Sequence, residues 1–258
     1  MILLDGKSLS EKILSDLKLK IEDCKYKINL DIVLVGDNPS SLKYIALKQK
    51  RASEVGIGGQ LYHFPDTISQ NELLELFNKL NIDPGTTGYF IQLPIPNIRQ
   101  ISLLLNNINI HKDADGLNPN SDVTPAVVRG IISLLKHYQI SFDHKNIVII
   151  NDSNLIGQPL KKYFSKFTSQ IFLLNDQTFE LSSITKKADI LISATGVKNL
   201  ITADMVKEKS VVIDVANGDV DFNSVSKNAS FITPTFGGVG PMTVASLLQN
   251  TYDLATKY

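Results

Sequence analysis

The chain has one cysteine, Cys24, and no tryptophan. A lone cysteine excludes an internal disulfide and any zinc site built on several thiolates. In its helical setting Cys24 reads as a small buried hydrophobe rather than a nucleophile. Charge of one sign is also missing, because 26 basic residues stand against 26 acidic ones and the formal net charge is zero. That balance provides no electrostatic footprint for nucleic acid. No apolar run approaches the roughly 20 residues of a membrane span. The opening MILLDGKSLSEKI lacks the basic start and sustained apolar core of a secretory signal. These absences predict a cytoplasmic protein with neither a nucleic-acid nor a membrane partner.

What is present is an alternation of strand-like and helix-like segments. The 258 residues, 43% of them hydrophobic, are enough for two α/β domains around a cleft. Short apolar runs at Ile2 to Leu4, Asp31 to Val35, Gln60 to Phe64 and Gly88 to Leu93 alternate with helical periodicity at Ser8 to Lys25, Ser40 to Val55 and Ser69 to Leu80. The third helix opens with a capping box, Ser69 with Glu72. Each helix returns the chain to a parallel sheet. In the helix from Ser40, the helical period gathers Leu42, Ile45, Ala46, Gln49 and Ala52 on one side and Tyr44, Lys48 and Arg51 on the other. Solvation is the ordinary fate of such a lysine, and a chemical role requires partners elsewhere.

Candidate partners follow. LPIP at Leu93 to Pro96 stops the fourth strand and presents Gln92 near its carboxyl end, where open α/β sheets place ligands. The polar loop His111 to Asp122 carries Asp113 and Asp115 at spacings that mimic an EF-hand. Calcium is rejected because the first ligand would be His111 and the last the short Asp122. A carboxylate offered to an N–H-rich ligand edge and plain loop solvation both stand. After a helix at Pro125 to Tyr138, runs at Ile147 to Ile150, Ile171 to Leu174, Ile190 to Ser193, Val211 to Val215 and Phe231 to Ile232 predict a second, doubly wound parallel sheet. Its first βα turn, NDSNLIGQP at Asn151 to Pro159, is where a dinucleotide pyrophosphate would sit, although only Gly157 fits a glycine fingerprint. Near the end, Gly237, Gly238 and Gly240 permit close backbone approach, and Thr243 is placed to cap the final helix.

Read together, YIALK at Tyr44 to Lys48, IQLPIP at Ile91 to Pro96, HKDADGLNP at His111 to Pro119 and ITPTFGGVGPMTVASLL at Ile232 to Leu248 resemble the bifunctional methylenetetrahydrofolate dehydrogenase and methenyltetrahydrofolate cyclohydrolase family. Order and spacing match along nearly the whole chain. The resemblance implies an α/β enzyme of one-carbon metabolism and purine biosynthesis, cytoplasmic and homodimeric. Its catalytic domain would span residues 1–122, with a helix at 243–258 returning to it, and a Rossmann-like NAD(P) domain would span 123–242. It implies Lys48 as the catalytic group, Gln92 as its partner, Tyr44 as the ring stacked on folate and Asp115 as the pterin anchor, with Gly237 and Gly238 also at the substrate. For the dinucleotide it implies Asn151, Asp152, Ser153, Gly157, Asn217 and Thr243. The expected cofactor is NADP, and no metal.

Departures concentrate in the second half. Asn151 and Asp152 precede Ser153 where the family usually has a glycine and a variable residue. PAVV at Pro125 to Val128 replaces the family's PCTP, and the segment after Asp214 is short. Asp152, with Asp176 after the next strand, would repel a 2′-phosphate, which makes NAD the alternative coenzyme. A cyclohydrolase alone, or a non-catalytic folate-binding member, are the other readings of the same chain.

Overall fold

The computed structural model describes residues 1–257. The chain forms two compact units. One comprises Lys12–Ala126 with the chain from Val244 onward; the other comprises Met1–Glu11 and Val127–Thr243.

The first unit is built on a three-stranded parallel sheet of β2 (Leu30–Val35), β3 (Leu61–Phe64) and β4 (Gly88–Ile91), in the order β3-β2-β4. All side chains of β2 and β4 are buried. That is why DIVLV and GYFI read as continuous apolar runs rather than alternating ones. Helices α2 (Pro39–Val55) and α3 (Gln70–Ile82) make the crossovers between these strands, followed by α4 (Ile101–Asn107). The Ser69/Glu72 capping box forms at the start of α3 as expected. Phe77 of α3 meets Tyr89 of β4 edge-on at 5.3 Å between ring centroids, both fully buried. Burial of each such ring stabilises the unit by roughly 1.5–3 kcal/mol.

The second unit carries a six-stranded parallel sheet in the order β1-β9-β8-β7-β5-β6, formed by β1 (Ile2–Leu3), β5 (Ile147–Ile150), β6 (Ile171–Leu174), β7 (Ile190–Ser193), β8 (Val211–Asp214) and β9 (Phe231–Ile232). Strand β5 pairs with β6 on one side and β7 on the other. The carboxyl end of β5 is therefore the topological switch point where doubly wound sheets bind ligands. Around the sheet lie α1 (Gly6–Glu22), which starts in this unit, and α5 (Ala126–His137), α6 (Gly157–Phe164), α7 (Leu181–Thr185) and α8 (Phe222–Val225). One core layer joins Val148, Ile150, Leu191, Val212 and Ile232 from four strands.

Three expectations are corrected. Residues Ile2 and Leu3 do not extend the first sheet. They pair with Phe231 and Ile232, because the N-terminal strand satisfies the open edge of β9. The expected division at residue 122, with residues 1–122 together, is thus crossed by the N-terminus, which belongs to the second unit. Thr243 does not cap the final helix either: α9 (Val239–Lys257) begins four residues earlier, and the Thr243 hydroxyl donates to Val239 O at 3.1 Å. Close approach explains Gly238, where a Cβ would lie 2.9 Å from Thr233 Cβ, and Gly6, where one would lie 1.9 Å from Gly238 O.

Within the first unit the last helix is tied to the loop before α5. Asn250, 3% exposed, donates through Nδ2 to Ala114 O and Thr124 O, both at 3.0 Å. Asn250→Ala should leave these carbonyls without that donor and lower stability by about 1–3 kcal/mol, measured by urea unfolding; an unchanged midpoint would show the tie to be dispensable.

Candidate functional site

Strand β2 ends at Gly36, and the chain turns into α2 through Asn38, whose side chain accepts hydrogen bonds from Ser40 N and Ser41 N at 3.0 and 3.1 Å. Pro39 fills the first helical position, and Gly56 at φ 89° closes the other end. Both ends of α2 are therefore fixed, which fixes the direction of every side chain between them. Its buried stripe is Ser41, Ile45, Lys48, Ala52 and Val55. This corrects the expected faces. Ala46 and Gln49 are exposed, whereas Lys48, assigned to the polar side, lies in the buried stripe and is 2% exposed. The apolar pattern alone misplaced the packing face because one of its members is a lysine.

Around the Lys48 amine the structure gathers the four residues named for the folate half. Nζ donates to Gln92 Oε1 at 3.2 Å, lies 3.8 Å from Asp115 Oδ2 and stands 4.7 Å from the centroid of the Tyr44 ring. A fourth contact escaped sequence reasoning: Nζ sits 4.0 Å from the centroid of the Phe90 ring. The signal was available in GYFIQL, because alternation places Phe90 and Gln92 on the same face of the strand. The Gln92 amide is oriented from behind, with Nε2 donating to Leu93 O at 2.8 Å and Oε1 left toward the amine.

Asp115 is held by its loop. Asp113, fully buried, accepts from Leu117 N at 2.9 Å and Asn118 N at 2.8 Å and so closes the turn over Asp115 and Gly116. Gly116, at φ 67°, has no room for a Cβ, which would come 2.6 Å from Pro125 N. Burial pushes the Asp113 carboxyl up to about 6 against the pull of those backbone donors. Burial also pushes the Asp115 carboxyl up, countered by the charge of Lys48. It pushes the Lys48 amine below the ordinary 10.5, countered by Asp115. An amine so placed exchanges its proton nearer neutrality than a surface lysine does.

The residues named for the dinucleotide lie in the second unit. Asn151, at the end of β5, donates through Nδ2 to Ala194 O at the end of β7 (2.8 Å), bridging the switch point. Its Oδ1 accepts from Ser153 N and Ser153 Oγ at 3.0 and 2.6 Å. The side chain of Asn151 is thus bound into the turn itself. Gly157, the first residue of α6, packs so tightly on this turn that a Cβ would lie 1.9 Å from Asn151 O. Asp152 accepts from Asn175 Nδ2 at 2.8 Å, and Asp176 next to that asparagine is exposed. Asn217, at φ 60°, lines a cleft of about 490 Å³ with Gly196, Asn199, Gly218, Phe222 and Phe236. The glycine segment adjoins α1, where Gly237 O accepts from Lys7 N at 2.8 Å. Among the described residues no group of three or more histidines, cysteines or carboxylates could hold a metal ion, and no helix is long and apolar enough to cross a membrane.

A parallel sheet with a tight glycine turn at its switch point, and a second parallel unit presenting a buried amine, amide and carboxylate, define an α/β enzyme of the dinucleotide-binding class. The family model for "Tetrahydrofolate dehydrogenase/cyclohydrolase, catalytic domain" matches residues 4–115, and that for its "NAD(P)-binding domain" matches residues 125–258. The chain belongs to the tetrahydrofolate dehydrogenase/cyclohydrolase family. It is 42% identical to the bifunctional protein FolD of Campylobacter jejuni over 273 aligned residues, covering 97% of each chain. It is also 42% identical to that of a Sulfurihydrogenibium species, covering 98% of this chain and 97% of that one. Among solved structures, the Campylobacter jejuni FolD enzyme superposes with a TM-score of 0.94 at 41% identity, over 99% of this chain and 98% of that one. The Trypanosoma brucei dehydrogenase-cyclohydrolase, complexed with NADP and an inhibitor, superposes with a TM-score of 0.92 at 25% identity, over 98% and 97%.

The depressed proton affinity of Lys48 makes a linkage prediction. Between its folded value and 10.5 the unfolded chain binds the extra proton, so this group's contribution to stability rises with pH across that window. Urea unfolding at pH values approaching 10.5 from below should show a wild-type gain in stability that Lys48→Met lacks; parallel pH dependences would mean that Lys48 titrates normally.

Proposed function

We infer that this protein oxidises 5,10-methylenetetrahydrofolate to the 5,10-methenyl form with a nicotinamide dinucleotide and hydrolyses that product to 10-formyltetrahydrofolate. The observation that carries the reading is the Lys48, Gln92 and Asp115 cluster, an amine at 3.2 Å from an amide oxygen and 3.8 Å from a carboxylate. Asp115 accepts N–H bonds from the aminopyrimidinone edge of the pterin, and the Tyr44 ring covers the aromatic face. A pterin drawing on the Asp115 charge weakens its hold on the Lys48 proton, so substrate binding itself lowers the amine's proton affinity. Water adds to the methenyl carbon, and Lys48, oriented by Gln92, moves the protons that let the tetrahedral adduct collapse.

The dinucleotide, when bound, takes the hydride from the bridging methylene carbon. The residues at the switch point fit it: the turn from Asn151 to Gly157 lies at the carboxyl end of β5 and runs straight into α6, with Ser153 and Asn217 as polar groups of the second unit available to it. NADP is the coenzyme by family. The carboxylates of Asp152 and Asp176 near the end of β6 favour NAD, since both oppose a 2′-phosphate and either can accept from a 2′-hydroxyl. A homodimer is part of the same reading. It is supported by the open edge of β6, where Phe172 is 48% exposed. Cytoplasmic location and a role in purine biosynthesis are part of the same reading, the second because 10-formyltetrahydrofolate carries a transferable formyl group.

Lys48→Met keeps length and loses the titrating amine; it should slow ring opening of methenyltetrahydrofolate by more than a hundredfold, at the lower end of what a general acid–base group contributes, with folate affinity largely kept. Wild-type rates in that variant, followed by loss of the methenyl absorbance, would end the assignment of Lys48. Methylenetetrahydrofolate supplied with NAD or NADP in parallel should reduce at least one of them. Reduction of neither would leave a cyclohydrolase alone, and no hydrolysis in the wild type would leave a folate-binding protein.

A further inference from the structure

The face of β4 that carries Gln92 toward the amine also carries Phe90, because side chains two apart on a strand share a face. Lys48 Nζ stands 4.0 Å from the Phe90 ring centroid, nearer than the 4.7 Å to Tyr44, and Phe90 is fully buried. Water cannot compete for that ring. The other groups around the amine are few. The loop supplies one carboxylate, Asp115, with Oδ2 at 3.8 Å. From α2 come the half-buried Tyr44 and, one turn on, Arg51, which is paired with Glu54 at 2.8 Å. From β4 and the residue that follows it come Phe90 and the neutral amide of Gln92.

An aromatic face has a negative quadrupole, so it attracts an ammonium ion and is nearly indifferent to a neutral amine, most strongly where water is excluded. Burial acts in the opposite sense and favours the neutral form. A lysine that must both take up and release a proton within one reaction needs the two forms close in energy. We propose that Phe90 is a positioning residue for the Lys48 amine, its ring face holding the ammonium form in place and setting the pH at which Lys48 releases its proton. The ring offsets part of the cost of burying the charge, while Gln92 fixes where the amine points. The inference rests on Lys48 as the proton-transfer group of ring opening.

The test introduces mono-, di- and trifluorinated phenylalanine at position 90 alone, which withdraws electrons from the ring face stepwise with little change of shape. The Lys48 ε-carbon resonance, assigned by its loss in Lys48→Met, is titrated by NMR in the enzyme without substrate. The midpoint should fall with each added fluorine, and Phe90→Leu should lower it by roughly 0.5 to 1.5 pH units. A midpoint constant to about 0.2 pH units across the fluorinated series would overturn the proposal, whatever Phe90→Leu does to folding. A midpoint that follows fluorination alongside a fully active Lys48→Met would support the role of Phe90 and refute that of Lys48. A constant midpoint alongside an inactive Lys48→Met would do the reverse.

Discussion

The desolvation of one amine is the constraint on which the site depends. Taking an ammonium out of water costs several kcal/mol even after the protein relaxes around it, and Lys48 at 2% exposure bears nearly all of that cost. Three different interactions offset it: the Gln92 amide oxygen, the Asp115 carboxylate at a distance too long for a tight ion pair, and the aromatic faces of Phe90 and Tyr44. None is strong enough to lock the proton in place. A close salt bridge would have held the ammonium permanently, and an apolar pocket would have emptied it. The arrangement leaves both protonation states within reach, which acid–base chemistry needs.

The scaffold can be understood as the device that holds these partners still. They come from three parts of the chain, α2, β4 with the residue after it, and the Asp115 loop, and each is anchored away from the amine. Helix α2 is capped at both ends by Asn38 and Gly56, β4 is buried on both faces, and the loop of Asp115 is closed by the Asp113 carboxylate on two backbone N–H groups. Asn250 of the last helix binds the carbonyl of Ala114, next to Asp115 itself. Preorganisation of this kind is what lets weak contacts tune a proton affinity. In the second unit the same logic appears at the switch point, where Asn151 joins the ends of β5 and β7 and Gly157 allows the helix to start against that turn.

Much of this was legible in the chain because parallel sheets write themselves as short apolar runs between helix-length segments. The runs at Ile147, Ile171, Ile190 and Phe231 coincide with β5, β6, β7 and β9. Pro94 and Pro96 marked the end of β4 and so the position of Gln92. The errors have physical causes. Ile2 and Leu3 look like any short strand, and only the unpaired edge of β9, formed more than two hundred residues later, decides where they pair. Thr243 resembles a cap, but the helix already starts at Val239, and the Thr243 hydroxyl bonds back to the Val239 carbonyl one turn earlier. Periodicity sorts Lys48 onto the polar side of α2 with Tyr44 and Arg51, whereas the tertiary structure places it in the buried stripe. Phe90 shares a strand face with Gln92, but a buried phenylalanine in a strand is ordinarily core, so the alternation alone does not single it out as a site residue.

The central claim is that burial lowers the proton affinity of one lysine in the folded protein. It is tested most directly by following the ζ-nitrogen resonance of Lys48 through a pH titration in the native wild-type chain and again in the same chain unfolded in urea. The account predicts a native midpoint clearly below the unfolded one, which should lie near 10.5. Coincident midpoints, or a native value above the unfolded one, would contradict it.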